Sequence, residues 1–264
     1  MKTTLTYAAK TLKITLCLSI LFTGLSFTSP AQPITVYQYR QVPDDKIEEF
    51  IKRETTYWSK VAEKGFEKGN LTFRALFQKV GEYDVPNSSN FLFINTHNNV
   101  DKIGDTWDAA RVFPDVPMDK METNSMSKTT SMLFLRPGGW QNVENAIPAE
   151  QFKFLNMIYH QSSNPSGLIE AENKHWGPFI RSAMDKKLTK QVARGNASVI
   201  SPVDPNMKFN TVSYDLYPSL HETLLQTWDE SLQVPEGMSE IGELENGPRM
   251  SVEYRIVHAV SANQ

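Results

Sequence analysis

The segment IEEFIKRETTYWSKVA, residues 47–62, places one carboxylate on the apolar face of a predicted helix. Positions 47, 50/51, 54, 58 and 61/62 share one helical face, and all of them except position 54 carry apolar side chains. Glu54 therefore points toward whatever this helix packs against. The segment SGLIEAENKHWGPFIRSAM, residues 166–184, repeats the arrangement with Glu172 on the face that also carries Leu168 and Trp176.

The two segments share a Glu-x-x-x-Trp motif, at a spacing of 118 residues, within a longer internal repeat. Four further matches follow the same order at spacings of 119 to 121 residues. The matched pairs are Tyr39 with Tyr159, Arg74 with Arg194, Thr106-Trp107-Asp108 with Thr227-Trp228-Asp229, and Arg136 with Arg255. Self-similarity at a nearly constant spacing indicates that one structural unit occurs twice.

Both copies have the same order of predicted elements. Runs rich in β-branched and aromatic residues predict strands, and helical periodicity predicts helices. In the first copy we expect strands at 34–42, 71–80, 90–96 and 130–135, and helices from Asp44 onward and at 100–110. In the second copy we expect strands at 154–160, 191–200, 209–216 and 250–257, and helices at 166–184 and 220–232. Each copy has the order β-α-β-β-α-β, which is the ferredoxin-like order.

This doubled order resembles the dimeric α/β-barrel superfamily in a tandem-fused form, and the Glu-x-x-x-Trp helix is similar to helices of uncharacterised exported bacterial members. The resemblance implies an α+β fold in which two ferredoxin-like modules pair their sheets into one intramolecular barrel. The predicted modules are residues 33–140 and 150–262, joined by a linker at 141–149. Pro137-Gly138-Gly139 is interpreted as the turn that ends the first module's last strand. The superfamily includes cofactor-free monooxygenases, haem enzymes and modules without known chemistry, so the fold does not select a function.

Residues 1–31 are predicted to be a secretory signal peptide. Lys2, Lys10 and Lys13 accompany an apolar run at 14–27, which is shorter than the roughly 20 residues of a membrane-spanning helix. Small residues at 29 and 31 place the expected cleavage after Ala31. We therefore expect an exported protein, periplasmic or extracellular, without a membrane span.

The composition of the remaining chain argues against several functions. The predicted signal holds three of the 27 basic residues and none of the 30 acidic residues, which leaves a net charge of −6. This balance argues against a nucleic-acid partner. Cys17 is the only cysteine and lies in the predicted signal, so we expect no disulfide and no cysteine nucleophile. The five histidines have no known metal-ligand spacing, and no metal site is predicted.

Glu54 and Glu172 have two interpretations. A carboxylate on a packing face is costly unless it is paired or hydrogen-bonded. Each glutamate is therefore either a base or ligand anchor in a pocket between helix and sheet, or the partner of an arginine in its own copy that serves only the fold. The candidate arginines are Arg74 or Arg136 in the first copy and Arg194 or Arg255 in the second.

The second copy is the richer candidate site because its histidines have no counterpart in the first copy. Tyr57 stands opposite His175, and Arg40 stands opposite His160. The predicted catalytic residues are Glu172, as base or anchor, and His175, as proton carrier. The predicted ligand-binding residues are Trp176, Arg194, His160 and Tyr159, with Glu54, Trp58 and Arg74 as an equivalent pocket in the first copy.

Three functions remain open from the sequence. The leading hypothesis is an exported small-molecule binding protein or a cofactor-independent enzyme with a pocket between helix and sheet. The alternative is a non-catalytic structural or interaction module held together by its Glu–Arg pairs. The third is a haem-dependent oxidoreductase with His160 or His175 as iron ligand. A homodimer formed through the outer helices is compatible with the sequence.

Overall fold

The computed structural model describes residues 32–81, 88–146 and 148–262, so the predicted signal peptide lies outside the described residues. In the described part of the chain eight antiparallel strands close into one barrel, in the order β1-β3-β2-β8-β5-β7-β6-β4. The strands are β1 (Ile34–Gln41), β2 (Leu71–Lys79), β3 (Phe91–His97), β4 (Lys128–Asn142), β5 (Phe154–His160), β6 (Ala193–Ser201), β7 (Thr211–Tyr217) and β8 (Met250–Ser261).

The barrel closes through two strand pairs that join the two halves of the chain. β2 pairs with β8, and β4 pairs with β6, both antiparallel. The strand order is β4-β1-β3-β2 in the first half and β8-β5-β7-β6 in the second half. The protein therefore has a mixed α/β fold built on a closed eight-stranded antiparallel barrel.

Ten α-helical segments are described. They are α1 (Ile47–Arg53), α2 (Ser59–Glu67), α3 (Ile103–Thr106), α4 (Ala109–Val112), α5 (Met118–Met121), α6 (Pro148–Gln151), α7 (Pro165–Ala171), α8 (Gly177–Asp185), α9 (Leu220–Leu225) and α10 (Met238–Leu244). Short 3₁₀ turns at Asp44–Lys46, Val100–Lys102 and Asn124–Met126 precede α1, α3 and β4.

Each long helix is interrupted by one π-helical segment at its Glu-x-x-x-Trp motif. Glu54–Trp58 joins α1 to α2, and Glu172–Trp176 joins α7 to α8. The first amide after each segment donates to the carbonyl of the glutamate five residues earlier, which is the π-helical pattern. Each glutamate is only 5 % exposed. Isolated π segments inside α-helices are frequent at functional sites.

Strand alternation separates the barrel interior from the face beneath the helices. Tyr39 on β1 and Tyr159 on β5 belong to the core cluster that fills the barrel. The next residues, Arg40 and His160, take the opposite face, where Arg40 lies over the Phe50 ring of α1. The surface between barrel and helices is therefore lined by alternate residues of β1 and β5.

The predicted turn at Pro137-Gly138-Gly139 is wrong, because β4 continues through it to Asn142. Trp140 pairs with Gly195 of β6 after a register shift that begins at Pro137. This irregularity is a β-bulge, which accommodates proline and glycine within a strand. The predicted linker at 141–149 thus begins inside β4.

Two predicted helices are shorter than expected. The helix predicted at 220–232 ends at Leu225, because Gln226 adopts a left-handed conformation with φ of 48°. The helix predicted at 100–110 divides at Trp107, after which the Asp108 side chain accepts from the Arg111 amide and begins α4. No helix among the described residues is long and apolar enough to cross a membrane.

Candidate active site

A cavity of about 490 Å³ lies in the second half between the helix that carries Glu172 and the outer face of β5, β7 and β6. Its buried base is polar, and its walls are largely apolar and aromatic. The base is formed by His160, Glu172, Arg194, Ser213 and Asp215. A concave, mostly apolar cavity with a few converging polar groups is the usual form of a small-molecule site.

Glu172 is the centre of the polar base. Its Oε2 accepts from Arg194 Nη2 at 3.0 Å and from Asn196 Nδ2 at 2.8 Å. The Ser213 hydroxyl donates to the same carboxylate, 2.8 Å from Oε1 and 2.9 Å from Oε2. Asn196 is itself fixed by the bulge of β4, because its Oδ1 accepts from the Gly139 amide at 2.6 Å. The buried carboxylate is thus fully compensated, as its position requires.

Arg194 is 1 % exposed and uses only part of its hydrogen-bonding capacity. Nη2 bonds to Glu172, whereas Nε and Nη1 have no hydrogen-bond partner among the described residues. A buried guanidinium N–H without an acceptor is costly. Arg194 lines the cavity, and these two nitrogens are its buried donors without an acceptor.

Asp215 lies beside Arg194, its partner in the register of β6 and β7. Burial, supported by the nearby Glu172 charge and opposed by Arg194, raises the pKa of Asp215 to about 6. Gln191 Nε2 donates to Asp215 Oδ1 at 2.6 Å. At pH 7 the carboxyl is therefore largely ionised, at a cost to the folded state.

Asp215→Asn is expected to stabilise the protein above pH 6 and to have little effect near pH 4. A carboxyl whose pKa is raised in the folded state contributes stability below its unfolded pKa and loses it as pH rises through about 6. The shift corresponds to an upper limit of about 3 kcal/mol at pH 8. Urea denaturation of both proteins at pH 4 and pH 8 measures the difference, and a stability difference that is equal at the two pH values would contradict the assignment.

His160 forms a second polar pair at the base of the cavity. Its Nδ1 lies 2.7 Å from Glu245 Oε1, and Glu245 is held by Arg249, with Nε 2.8 Å from Oε1. Burial lowers the pKa of His160, although Glu172 and Glu245 act in the opposite direction. A carboxylate can only accept, so we assign the proton of the neutral ring to Nδ1. Nε2 then carries the lone pair, 3.9 Å from Glu172 Oε1 and without a hydrogen-bond partner in the described chain.

The structure separates two predicted site residues from this cavity. His175 lies outside it as a partly buried side chain, with Nε2 2.6 Å from Glu240 Oε2, so its predicted role as proton carrier for Glu172 is corrected. Tyr159 faces the barrel interior, where its hydroxyl is 3.1 Å from that of Tyr39. The physical reason is strand alternation: Tyr159 and His160 are neighbours in β5 and cannot share one face.

Trp176 lies in the cavity wall and belongs to an aromatic group. Its ring centroid is 4.9 Å from that of Phe179 and 5.8 Å from that of Trp228. Phe179 and Trp228 are stacked, with 6.1 Å between centroids. These three rings, of which Trp176 is tilted against the other two, form an aromatic, apolar part of the cavity wall.

The first half contains a smaller cavity of about 380 Å³ in the corresponding position, lined by Glu54, Trp58 and Arg74. Arg74 Nη2 donates to Glu54 Oε2 at 2.6 Å, and the Thr123 hydroxyl donates to Oε1 at 2.6 Å. The Arg74 guanidinium also lies 5.1 Å from the ring centroid of Trp107. Of the arginines proposed as partners, the structure therefore pairs Arg74 with Glu54 and Arg194 with Glu172.

Neither histidine proposed as an iron ligand fits a haem. An axial ligand presents a nitrogen to an open, flat space above it. The free Nε2 of His160 instead faces the Glu172 carboxylate at 3.9 Å, and His175 Nε2 bonds to Glu240. Among the residues that the structure describes, no group of three or more His, Cys, Asp or Glu side chains could hold a metal ion.

Several residues of the site were not found from the sequence. They are Ser213, Asp215, Asn196 and the Glu245–Arg249 pair. A signal existed for two of them, because the 120-residue spacing aligns Ser213 with Phe93 and Asp215 with Asn95. Comparing the two copies for polar differences, rather than matches, would have pointed to this face of β7.

No protein-family model and no curated protein matches the sequence. Among solved structures, an anthrone oxidase-like protein is similar, with a TM-score of 0.52 and 13 % identity over 89 % of this chain and 95 % of that chain. A proposed monooxygenase from Lactobacillus acidophilus gives a TM-score of 0.56 and 9 % identity over 88 % and 97 %. Another from Fusobacterium nucleatum gives 0.52 and 9 % over 88 % and 95 %. These are dimeric α/β-barrel proteins, and at these identities the likeness shows the fold alone, a mixed α/β fold with a closed eight-stranded barrel.

Proposed function

We propose that the second-half cavity binds a neutral, ring-containing small molecule with a phenol or enol hydroxyl, and that the protein is a cofactor-independent enzyme that removes the proton from this group. The observation that carries the proposal is a buried donor and a buried acceptor at the base of one cavity. Within the described residues, Arg194 Nε and Nη1 and His160 Nε2 have no hydrogen-bond partner.

Arg194 and His160 have different roles in proton abstraction. The substrate oxygen accepts hydrogen bonds from Arg194, and its proton passes to the lone pair of His160 Nε2. The O–H electron pair stays on the oxygen, where the guanidinium stabilises the negative charge. Glu245 orients the ring through Nδ1, and Glu172 and Glu245 stabilise the imidazolium that forms. Glu172 is therefore a positioning residue, because its carboxylate is already saturated by three donors.

The charge at the base favours a neutral ligand. At pH 7 the base holds one cation, Arg194, and two carboxylates, Glu172 and Asp215, since the pKa of Asp215 is about 6. His160 is neutral, and Glu245 is balanced by Arg249. A net charge of about −1 repels an anion and favours a cation on His160. The rings of Trp176, Phe179 and Trp228 favour a planar apolar body.

The structural alternative has an observation in its favour, because a buried Glu–Arg pair occurs in both halves. A non-catalytic module needs these pairs and nothing else from the cavity. The unpartnered groups of Arg194 and His160 favour ligand binding over that alternative, since a purely structural pair gains nothing from leaving them unsatisfied.

The proposed protein also has a defined chain organisation and cellular location. We propose two tandem ferredoxin-like modules, supported by the equivalent strand orders and by a π segment at the same motif in both halves. Export rests on the basic and apolar pattern of residues 1–31. The intact mass of protein recovered from a bacterial periplasm tests it: loss of residues 1–31 supports export, and a full-length mass contradicts it.

4-Nitrophenol is a suitable probe because its phenolate absorbs visible light. At a pH where the free probe is neutral, binding to the wild-type protein is expected to produce the phenolate band. His160→Gln is expected to abolish the band while retaining binding by calorimetry, because Arg194 and the aromatic wall remain. Absorbance titration of both proteins, with binding followed in parallel, measures this.

His175→Gln distinguishes this proposal from the prediction made from the sequence. It is expected to behave like the wild type, as is His221→Gln, which changes an exposed histidine. A phenolate band that survives in His160→Gln, or that is lost in His175→Gln, would overturn the assignment of the base. Failure of the wild type to bind 4-nitrophenol or 2-naphthol would overturn the proposed ligand class.

A further inference from the structure

The cavity of the first half differs from that of the second half at three equivalent strand positions. Arg40 and His160 occupy equivalent registers, opposite Phe91 and Thr211. Arg74 pairs with Asn95 in the first half, and the equivalent Arg194 pairs with Asp215 in the second half. Phe93, which pairs with Gln38, is equivalent to Ser213, which pairs with Ile158. The first cavity thus gains an arginine and loses a carboxylate.

These changes give the first cavity a positive charge. Its lining includes two arginines, Arg40 and Arg74, which are 6 % and 5 % exposed, and one carboxylate, Glu54. Burial lowers the pKa of His97 to about 4, so this fourth group is neutral at pH 7. Glu122 also interacts electrostatically with Arg40. Its carboxylate is exposed, however, and accepts a hydrogen bond from the Ser125 amide. The buried lining has a net charge of about +1, and an uncompensated buried charge is costly.

Arg40 also has unused hydrogen-bonding capacity. Nη2 donates to Asn124 Oδ1 at 3.0 Å and to the Thr123 carbonyl at 3.4 Å. Nε has no hydrogen-bond partner among the described residues, and neither has Nδ1 of His97. Both side chains line the cavity. The site therefore lacks one acceptor and one negative charge, and a single anionic oxygen group supplies both.

The remaining lining suits an apolar body. Trp58, Trp107, Met132 and Phe134 surround the charged groups. An inorganic ion would leave this surface in contact with water, whereas a small aromatic carboxylate covers it. We propose that the first-half cavity is a second binding site, specific for a small aromatic carboxylate held by Arg40 and Arg74, and distinct from the neutral-ligand site of the second half.

Benzoate is the probe for this site, and isothermal titration calorimetry on the whole chain gives its affinity. We expect benzoate to bind with a stoichiometry of one, and Arg40→Gln to weaken it by at least roughly tenfold, which is the loss of one charged hydrogen bond. Asn95→Asp retains both arginines but supplies the missing charge beside Arg74, and it is expected to abolish binding. This second variant keeps the proposal testable if Arg40→Gln does not fold.

Three comparisons separate the possible results. Arg136→Gln changes an exposed arginine and is expected to leave benzoate affinity unchanged. Arg194→Gln removes the arginine of the other cavity and is also expected to leave it unchanged, so failure of this inference is distinct from failure of the proposed function. Phosphate and chloride are expected to bind at least roughly tenfold more weakly than benzoate. Equal binding of all three anions, no binding of benzoate, or full affinity in Asn95→Asp would overturn the proposal.

Discussion

Glu54→Gln is expected to lower the free energy of unfolding by about 4 kcal/mol, because it breaks a buried ion pair. The carboxylate accepts from Arg74 and Thr123 and is 5 % exposed. Its removal leaves two buried arginines in the first cavity with no buried carboxylate among the described lining residues. Urea denaturation at pH 7 measures the loss.

Glu172→Gln provides the matched comparison in the second half and is expected to cost only about 2 kcal/mol. Arg194 retains Asp215 beside it, and the pKa of Asp215 falls once the Glu172 charge that raises it is gone. The neighbouring carboxylate therefore partly replaces the lost one. Glu63→Gln, an exposed change in α2, controls for the loss of a surface carboxylate and is expected to have little effect. An equal cost for the two buried changes would contradict the charge difference between the cavities.

Arg194→Gln is expected to weaken binding of 4-nitrophenol by roughly 10- to 100-fold and to remove the phenolate band. The reason is that Arg194 is the only cation at the described base of the cavity, so neither the ligand oxygen nor its negative charge retains a buried donor of that strength. Calorimetry gives the affinity, and absorbance gives the ionisation state of the probe.

Arg74→Gln is the matched control because it breaks the equivalent ion pair in the other half. It is expected to be destabilising yet to leave 4-nitrophenol affinity unchanged in the folded fraction. Equal loss of binding in both variants would mean that Arg194 acts only through stability, which is the prediction of the structural alternative.

Much of the fold could be predicted from the sequence, because strand alternation and helical periodicity are local patterns. Alternation predicted all eight strands, and the phase of one helical face placed Glu54 and Glu172 against the sheet, where the structure has them. The cost of burying a charge predicted an arginine partner for each glutamate, and the structure selects Arg74 over Arg136 and Arg194 over Arg255. These inferences require only spacing and elementary electrostatics.

The incorrect or missing predictions concern features that depend on the conformation or the distant contacts of single residues. Nothing in the amino-acid types around Gln226 signals a left-handed residue, so α9 ends earlier than its periodicity suggests. His175 lies in the same π-helical segment as Glu172. The direction of its side chain depends on the geometry of that segment and on Glu240, which is distant in sequence. Asp215 and Ser213 reach the site through strand register, which the alternation within a single strand does not specify.

The indole N–H signals in a ¹H–¹⁵N spectrum show whether the two cavities, which differ in charge, bind different ligands. The chain has five tryptophans. Trp176 and Trp228 line the second-half cavity, Trp58 and Trp107 line the first, and Trp140 packs against Phe152 away from both linings. We expect 4-nitrophenol to shift only the Trp176 and Trp228 signals and benzoate to shift only those of Trp58 and Trp107, with no response from Trp140. Both probes shifting the same pair of signals, or neither shifting any, would contradict this expectation.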